Sequence, residues 1–303
     1  MSNLLFSILV GAASFALGWW GGLVWYAGLP TALLGFVVAY FILAKRSFGK
    51  LQALLKSAME DVEKAQGLTD PQAQLRQLDK AIALLEKGFV FKREQFLMEG
   101  IVHAQIGALN YQAGGVLMQL RLREEMQRKQ SLALRFEKQA NGRFSAAKEH
   151  LEAAHRREWQ TAITRNWQAL GMLAAIDVRE GEHARAIERL KKVKGPGSSD
   201  PLYWGILAWM HHEFGDKTDA LLCVNEGLEK NGDSAPLKAM ADAIRNQLLL
   251  PITDFGVAWF MFFPDQLTPE VAMRMQANQT AMGGDGGQAL NRAQRRALKK
   301  QKR

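Results

Sequence analysis

Three features of the sequence predict an all-α fold, with an apolar helical hairpin at the N-terminus and a stack of amphipathic helical hairpins after it. Met1 to Ala44 contains no Asp, Glu, Lys, Arg or His, and the run ends abruptly at Lys45-Arg46. From Ser47 to Gln247 the apolar residues recur at helical spacing without strand-like alternation. The chain also aligns with itself when shifted by 34 residues, the mark of a repeated supersecondary unit.

The charge-free run is too long for one straight span, because 44 helical residues extend about 66 Å, roughly twice a bilayer's hydrocarbon core. Two spans fit it. Gly28-Leu29-Pro30 supplies the expected break, giving a first helix over Leu4–Tyr26 and a second over Thr31–Ala44. Trp25 and Tyr26 then fall at the far interface, while Lys45, Arg46 and Lys50 flank the near end, so the positive-inside rule puts both termini in the cytoplasm. A cleaved signal peptide fits poorly, for Met1-Ser2-Asn3 is no basic leader and 41 uncharged residues follow it. Gly18 and Gly22 form a G-x-x-x-G pair suited to close packing of the hairpin or of two copies. Residues 1–46 are thus expected to be a two-span transmembrane hairpin in a bacterial inner membrane.

Residues 47–250 read as helix throughout, at about 47–66, 71–87, 92–107, 109–140, 143–160, 165–180, 183–194, 201–214, 217–230 and 235–249. Asp70-Pro71 and Asp200-Pro201 each place a capping acid before a proline in the first turn, and Thr268-Pro269-Glu270 repeats the device. Short connections between consecutive helices make antiparallel neighbours. The 34-residue shift aligns Leu173 with Leu207, Ala174 with Ala208, Gly181 with Gly215, Ala186 with Ala220 and Leu190 with Val224. Each unit is a helix, a tight turn at the glycine and a second helix whose small alanine permits close packing.

That period and those residues resemble the tetratricopeptide repeat (TPR), clearest over 167–200 and 201–234. A weaker unit lies on Arg128–Thr161, with Gly142, Ala147, Leu151 and Ala154 at corresponding places. The chain departs from the family late in the first helix, where Asp177 and His211 replace an aromatic, and at the closing proline, where it has Ser198 and Gly232. The resemblance implies a TPR-like solenoid whose groove receives a protein partner, with Gln168, Arg179, Trp209, His212 and Glu213 lining it. Tryptophan is a favoured binding anchor, and packing of Trp209 on a neighbouring hairpin is the alternative.

Candidate chemistry is sparse. His150 and His155 stand five residues apart, on different sides of a helix, so they do not converge on a metal as an i,i+4 pair would. Of His211 and His212, one is expected inside the hairpin and one toward solvent. Cys223, the single cysteine, falls at an apolar position and permits no intramolecular disulfide. Neither a phosphate-binding glycine loop followed by Lys-Ser/Thr nor a Gly-x-Ser-x-Gly is present, so no enzyme activity, cofactor or metal is expected.

Two segments close the chain. Residues 251–277 open within an apolar stretch, Leu248–Phe263, that Pro251, Asp254 and Gly256 keep from forming a spanning helix; it either caps the solenoid or contacts a membrane or partner. Residues 278–303 pass through a glycine linker into a tail carrying Arg292, Arg295, Arg296, Lys299, Lys300, Lys302 and Arg303 with no acid among its last fifteen residues. The net charge of +9 is therefore largely local to the tail. The function expected is a membrane-tethered, non-enzymatic scaffold or adaptor in a bacterial envelope, secretion or motility assembly, with homo-oligomer formation open to it. The alternative is a ribosome- or RNA-associated membrane factor acting through the tail, which also suits anionic lipid.

Overall fold

Two Asp-Pro pairs start helices where the sequence places them. Asp70 accepts hydrogen bonds from the backbone N–H groups of Gln72 and Ala73, and Asp200 accepts one from Leu202. Each carboxylate satisfies donors that an uncapped first turn leaves bare. The computed structural model describes residues 2–20, 25–93, 98–156, 167–268 and 270–271, and no strand occurs among the described residues.

The helices are α1 (Ser2–Trp20), α2 (Trp25–Gln66), α3 (Pro71–Glu86), α4 (Met98–Met126), α5 (Gln130–Ala154), α6 (Trp167–Arg179), α7 (His183–Lys191), the single turn α8 (Lys194–Gly197), α9 (Pro201–Phe214), α10 (Lys217–Asn231), α11 (Ala235–Arg245) and α12 (Val257–Phe262). A 3₁₀ segment, Lys87–Arg93, follows α3, and two short 3₁₀ turns, Ile252–Phe255 and Pro264–Gln266, flank α12. The chain divides into two compact units, Met1–Leu117 with Phe136–Pro196, and Met118–Arg135 with Gly197–Arg303.

In the first unit α1 packs along the beginning of α2, and small residues let the backbones approach. A Cβ added at Gly11 would stand 3.1 Å from the Ala32 carbonyl oxygen, and one at Gly35 would stand 2.6 Å from Ser14 Oγ. Ser7 is fully buried and donates to the Asn3 carbonyl, so its hydroxyl is satisfied within α1. The close approach therefore falls on Ser7, Gly11 and Ser14, a stripe at spacings of four and three residues. Of the expected G-x-x-x-G pair, Gly18 is in the last turns of α1 and Gly22 lies outside the described residues.

The expected break at Gly28-Leu29-Pro30 is absent: α2 runs through Pro30 without interruption. Pro30 is the sixth residue of α2, just past the first turn, and its missing N–H forfeits the single intrahelical bond to the Tyr26 carbonyl. Nor does α2 stop at residue 46. Its 42 residues extend about 63 Å, and its second half enters the core of the first unit. Leu51, Ala58, Val62 and Ala65 of α2 are buried with Leu78, Ala81, Ile82 and Leu85 of α3 and Val102, Ile106, Leu109 and Ala113 of α4. Among the described residues α2 is the one helix long and apolar enough to cross a membrane, over Ala32–Gln66; Asn3–Leu17 of α1 is apolar but shorter.

The expected boundaries between 92 and 160 also shift. Glycines at 107 and 142 read as helix ends, yet both lie inside helices, and the turn falls at Gln127–Lys129 instead. Arg128 makes that turn with a φ of 59°, a left-handed conformation more often given to glycine or asparagine. Gly107 and Gly114 are packing sites: a Cβ there would meet Leu151 Cγ at 2.6 Å and Phe144 Cε1 at 2.7 Å, respectively. They let α4 and α5 cross closely, with Tyr111 stacked edge-on to Phe144 and wholly buried.

The second unit is built on α9, α10 and α11. Tyr203, Trp204, Ile206, Leu207, Ala208 and Met210 of α9 are buried with Ala220 and Val224 of α10 and Leu237 and Met240 of α11. Gly227 admits Trp204, whose indole N–H donates to the Ser198 carbonyl; Asn231 donates to the same oxygen.

Candidate functional site

The five residues expected to line a groove divide between the units. Gln168 and Arg179 belong to the first, and Trp209, His212 and Glu213 to the second. Gln168 is exposed at the start of α6. Arg179, half-buried at its end, is already engaged: its guanidinium lies 4.1 Å over the Phe144 ring and donates to Asn141 Oδ1 at 3.0 Å. Such stacking fixes a planar cation at little conformational cost.

Two residues before Arg179 in the chain, Asp177 centres a charged network that the sequence does not disclose. Asp177, wholly buried, accepts from Arg185 Nε at 3.0 Å and Arg189 Nε at 2.5 Å. Arg189 also pairs with Glu152 of α5 at 2.7 Å, and Arg185 with Glu180, which Lys148 of α5 bonds in turn. A buried carboxylate is tolerated only when its lone pairs are filled, and here two arginines one helical turn apart fill them. The network ties α5, α6 and α7 together.

In the second unit Trp209 is 8% exposed, edge-on to Phe214 and Trp259 and 4.7 Å from the Phe263 ring. Its cover is the apolar stretch after α11, which folds back on α9: Phe255 seats over Gly205, and Trp259, fully buried, donates its indole N–H to Gln266 Oε1 at 2.7 Å. Of the two readings of Trp209, packing is therefore the arrangement seen, although its partner is this segment. The segment's outer residues Leu248, Leu249, Val257 and Met261 are exposed.

His212 and Glu213 remain accessible at the end of α9, joined at 2.9 Å, while His211 is buried with Nδ1 3.5 Å from Asp219 of α10. Cys223 is half-buried on α10. The tail cations, Arg292 to Arg303, lie outside the described residues.

The two histidines of α5's C-terminal region diverge, but one finds a partner 47 residues away. His150 Nδ1 stands 3.0 Å from His103 Nδ1 of α4, and Phe89 of the 3₁₀ segment lies against both rings. One imidazole must donate and the other accept, so the pair holds together with a single proton on the two facing nitrogens. Burial, and then the neighbouring His150, hold the His103 pKa below the ordinary histidine value, against the opposing pull of Glu99 and Glu149. Burial does the same to His155, with Arg189 adding to it. Among the described residues, no three His, Cys, Asp or Glu side chains converge as metal ligands.

Compared with known proteins, the chain matches no family model, no curated protein and no solved structure.

Proposed function

We propose that this protein is a membrane-tethered, non-enzymatic scaffold whose helical hairpins present a protein-binding surface to the cytoplasm. In this reading α1 and the apolar part of α2 form a two-span hairpin in a bacterial inner membrane, with both termini inside. The helices that follow are a degenerate TPR-like solenoid serving an envelope, secretion or motility assembly. Continuity of α2 carries the reading: the same helix has its charge-free beginning exposed, with Leu33, Leu34, Val37, Val38, Phe41 and Ile42 uncovered, and its charged second half built into a core. An exposed apolar surface of that extent needs lipid or a partner to cover it.

In the second unit the half-buried His212 and exposed Glu213 remain open to a partner, with Trp209 joining them only if the stretch after α11 lifts; in the first unit Gln168 is exposed and Arg179 half-buried. Cysteine-accessibility scanning tests the topology. A probe at Gly28 should be labelled from outside intact cells and one at Gln66 protected until the membrane is opened. Labelling of Gln66 in intact cells would reverse the orientation. Proximity labelling from the cytoplasmic part then identifies partners.

The seven cations of the tail favour one alternative, a ribosome- or RNA-bound membrane factor. Salt-sensitive co-sedimentation with ribosomes, lost on deletion of 289–303, would distinguish it from the scaffold.

A further inference from the structure

The 3₁₀ segment Lys87–Arg93 is pinned at a defined height on α2. A Cβ at Gly88 would lie 3.7 Å from both Leu51 Cδ1 and Leu54 Cδ2, and 3.0 Å from Val102 of α4. Leu51 stands seven residues beyond Ala44, the last residue of the charge-free run, which is about 10 Å along a helix rising 1.5 Å per residue. No linker intervenes, so the segment cannot move far from that level. With the hydrocarbon boundary at Ala44, the headgroup layer occupies about the next 5–8 Å, and a lysine side chain spans the remainder.

The composition at this level suits that layer. On α2, Lys45, Arg46, Phe48 and Lys50 are exposed; on the 3₁₀ segment, Lys87 and Val90 are exposed, Val90 by 76%. The segment's sequence adds Lys92 and Arg93, and between Lys45 and Lys56 the chain has no acid. Phe89, by contrast, turns inward onto His103 and His150, 4.7 and 6.5 Å between ring centroids, and fixes the segment from beneath. Cations interleaved with apolar side chains are what an anionic membrane surface attracts.

We infer that the two stretches Lys45–Lys50 and Lys87–Arg93 form a collar that docks on the headgroups of an anionic bilayer and seats the first unit against the membrane. The inference rests on the membrane reading of α1 and α2, and its test separates the two. The full chain carrying Cys223→Ser is placed in phosphatidylglycerol-rich nanodiscs with an environment-sensitive fluorophore on Val90→Cys or on Leu34→Cys, and quenched by lipids bearing nitroxide at the headgroup or deep in the acyl chain.

The Leu34 label should be quenched by the deep nitroxide, and the Val90 label about twofold more by the headgroup nitroxide than by the deep one. Replacing the anionic lipid by phosphatidylcholine, or introducing Lys50→Glu with Lys87→Glu, should reduce the headgroup quenching at Val90 without abolishing it, because α2 keeps the height while the charges hold the contact, and should leave Leu34 unchanged; Val90 quenching indifferent to both changes overturns the collar. Quenching at Leu34 with none at Val90 overturns the collar and leaves the membrane reading standing; no quenching at Leu34 removes both. A Val90 label already shielded in detergent and insensitive to either nitroxide would mean that a protein covers the segment, which also overturns the proposal.

Discussion

The hairpins α6–α7 and α9–α10 begin 34 residues apart and bury a polar side chain at the same step, late in the first helix: Asp177 in one, wholly buried, and His211 in the other, 4% exposed. The partner comes eight residues later in both, as Arg185 and Asp219, so acid and base have exchanged places. Around that shared contact the hairpins differ. Asp177 sits in a network of fixed charges reaching Glu152, Glu180 and Lys148, whereas the end of α9 that carries His211 is covered by aromatic rings. Two hairpins 34 residues apart can thus keep the place of a buried polar contact while reversing which side supplies the carboxylate and changing the means by which the hairpin is held.

The comparison can be broken most forcefully on the aromatic side. Trp259→Ala should destabilise the second unit by about 3–5 kcal/mol, the usual cost of emptying a buried tryptophan site. Denaturant unfolding of the full chain in detergent, followed by α9 tryptophan fluorescence, measures it; a loss well under 1 kcal/mol would show that the rings are incidental.

Asp177→Ala comes next, at about 2–3 kcal/mol, because it removes the charge-assisted bonds of both arginines to the buried carboxylate and leaves each only its outer partner, Glu180 or Glu152. If pairing matters more than charge, the triple change Asp177→Leu, Arg185→Met, Arg189→Met should recover much of that loss. A triple variant no more stable than the single one would count against the network as drawn.

A smaller effect is expected from pH. The native state holds His103 and His155 with lowered pKa values, so on acidification the unfolded chain takes up protons first, near its ordinary value of 6.5. Stability contributed by the neutral imidazoles is then complete above pH 6.5 and declines as the pH falls below it. Denaturation midpoints for the first unit should drop between pH 7 and pH 5, and less steeply in His103→Asn. An unchanged slope would assign the acid sensitivity elsewhere. Smallest of all, Lys192→Ala removes an exposed i,i+4 partner of Glu188 and should alter stability by less than about 0.5 kcal/mol in the same assay.

The local parts of this fold were legible. Helical class, the caps at Asp70 and Asp200, and the tightly packed Ala186 and Ala220, both with no exposed surface, follow from composition, spacing and neighbours within one turn. Gly181, at a φ of 82°, makes the turn its position implies. What escaped depends on partners distant in sequence. Trp209 is covered by residues about fifty positions later, and His150 is held by one 47 positions earlier. Gly107 and Gly142 read as helix breakers because a glycine carries no mark that tells a terminus from the interior of a packed helix, while Arg128 made the real turn without any breaker residue. The stripe Ser7, Gly11, Ser14 is present in the sequence but matches no G-x-x-x-G pattern, because serine takes the place of glycine at two of its three positions.

Because α2 passes from the charge-free run into the core as one helix, angular phase is preserved along it. Each residue between Ala44 and Leu51 carries about 100° of rotation and 1.5 Å of rise. Adding one residue there would leave every side-chain contact in the core intact yet swing the core of the first unit, from Leu51 onward, about a quarter-turn around the helix axis relative to α1 and the start of α2; seven added residues would nearly restore its bearing, about 10 Å farther along. The stem therefore sets a compass direction as well as a distance, and a twist of α1 and the apolar start of α2 is delivered to the core of the first unit as a rotation, with no joint between them to absorb it.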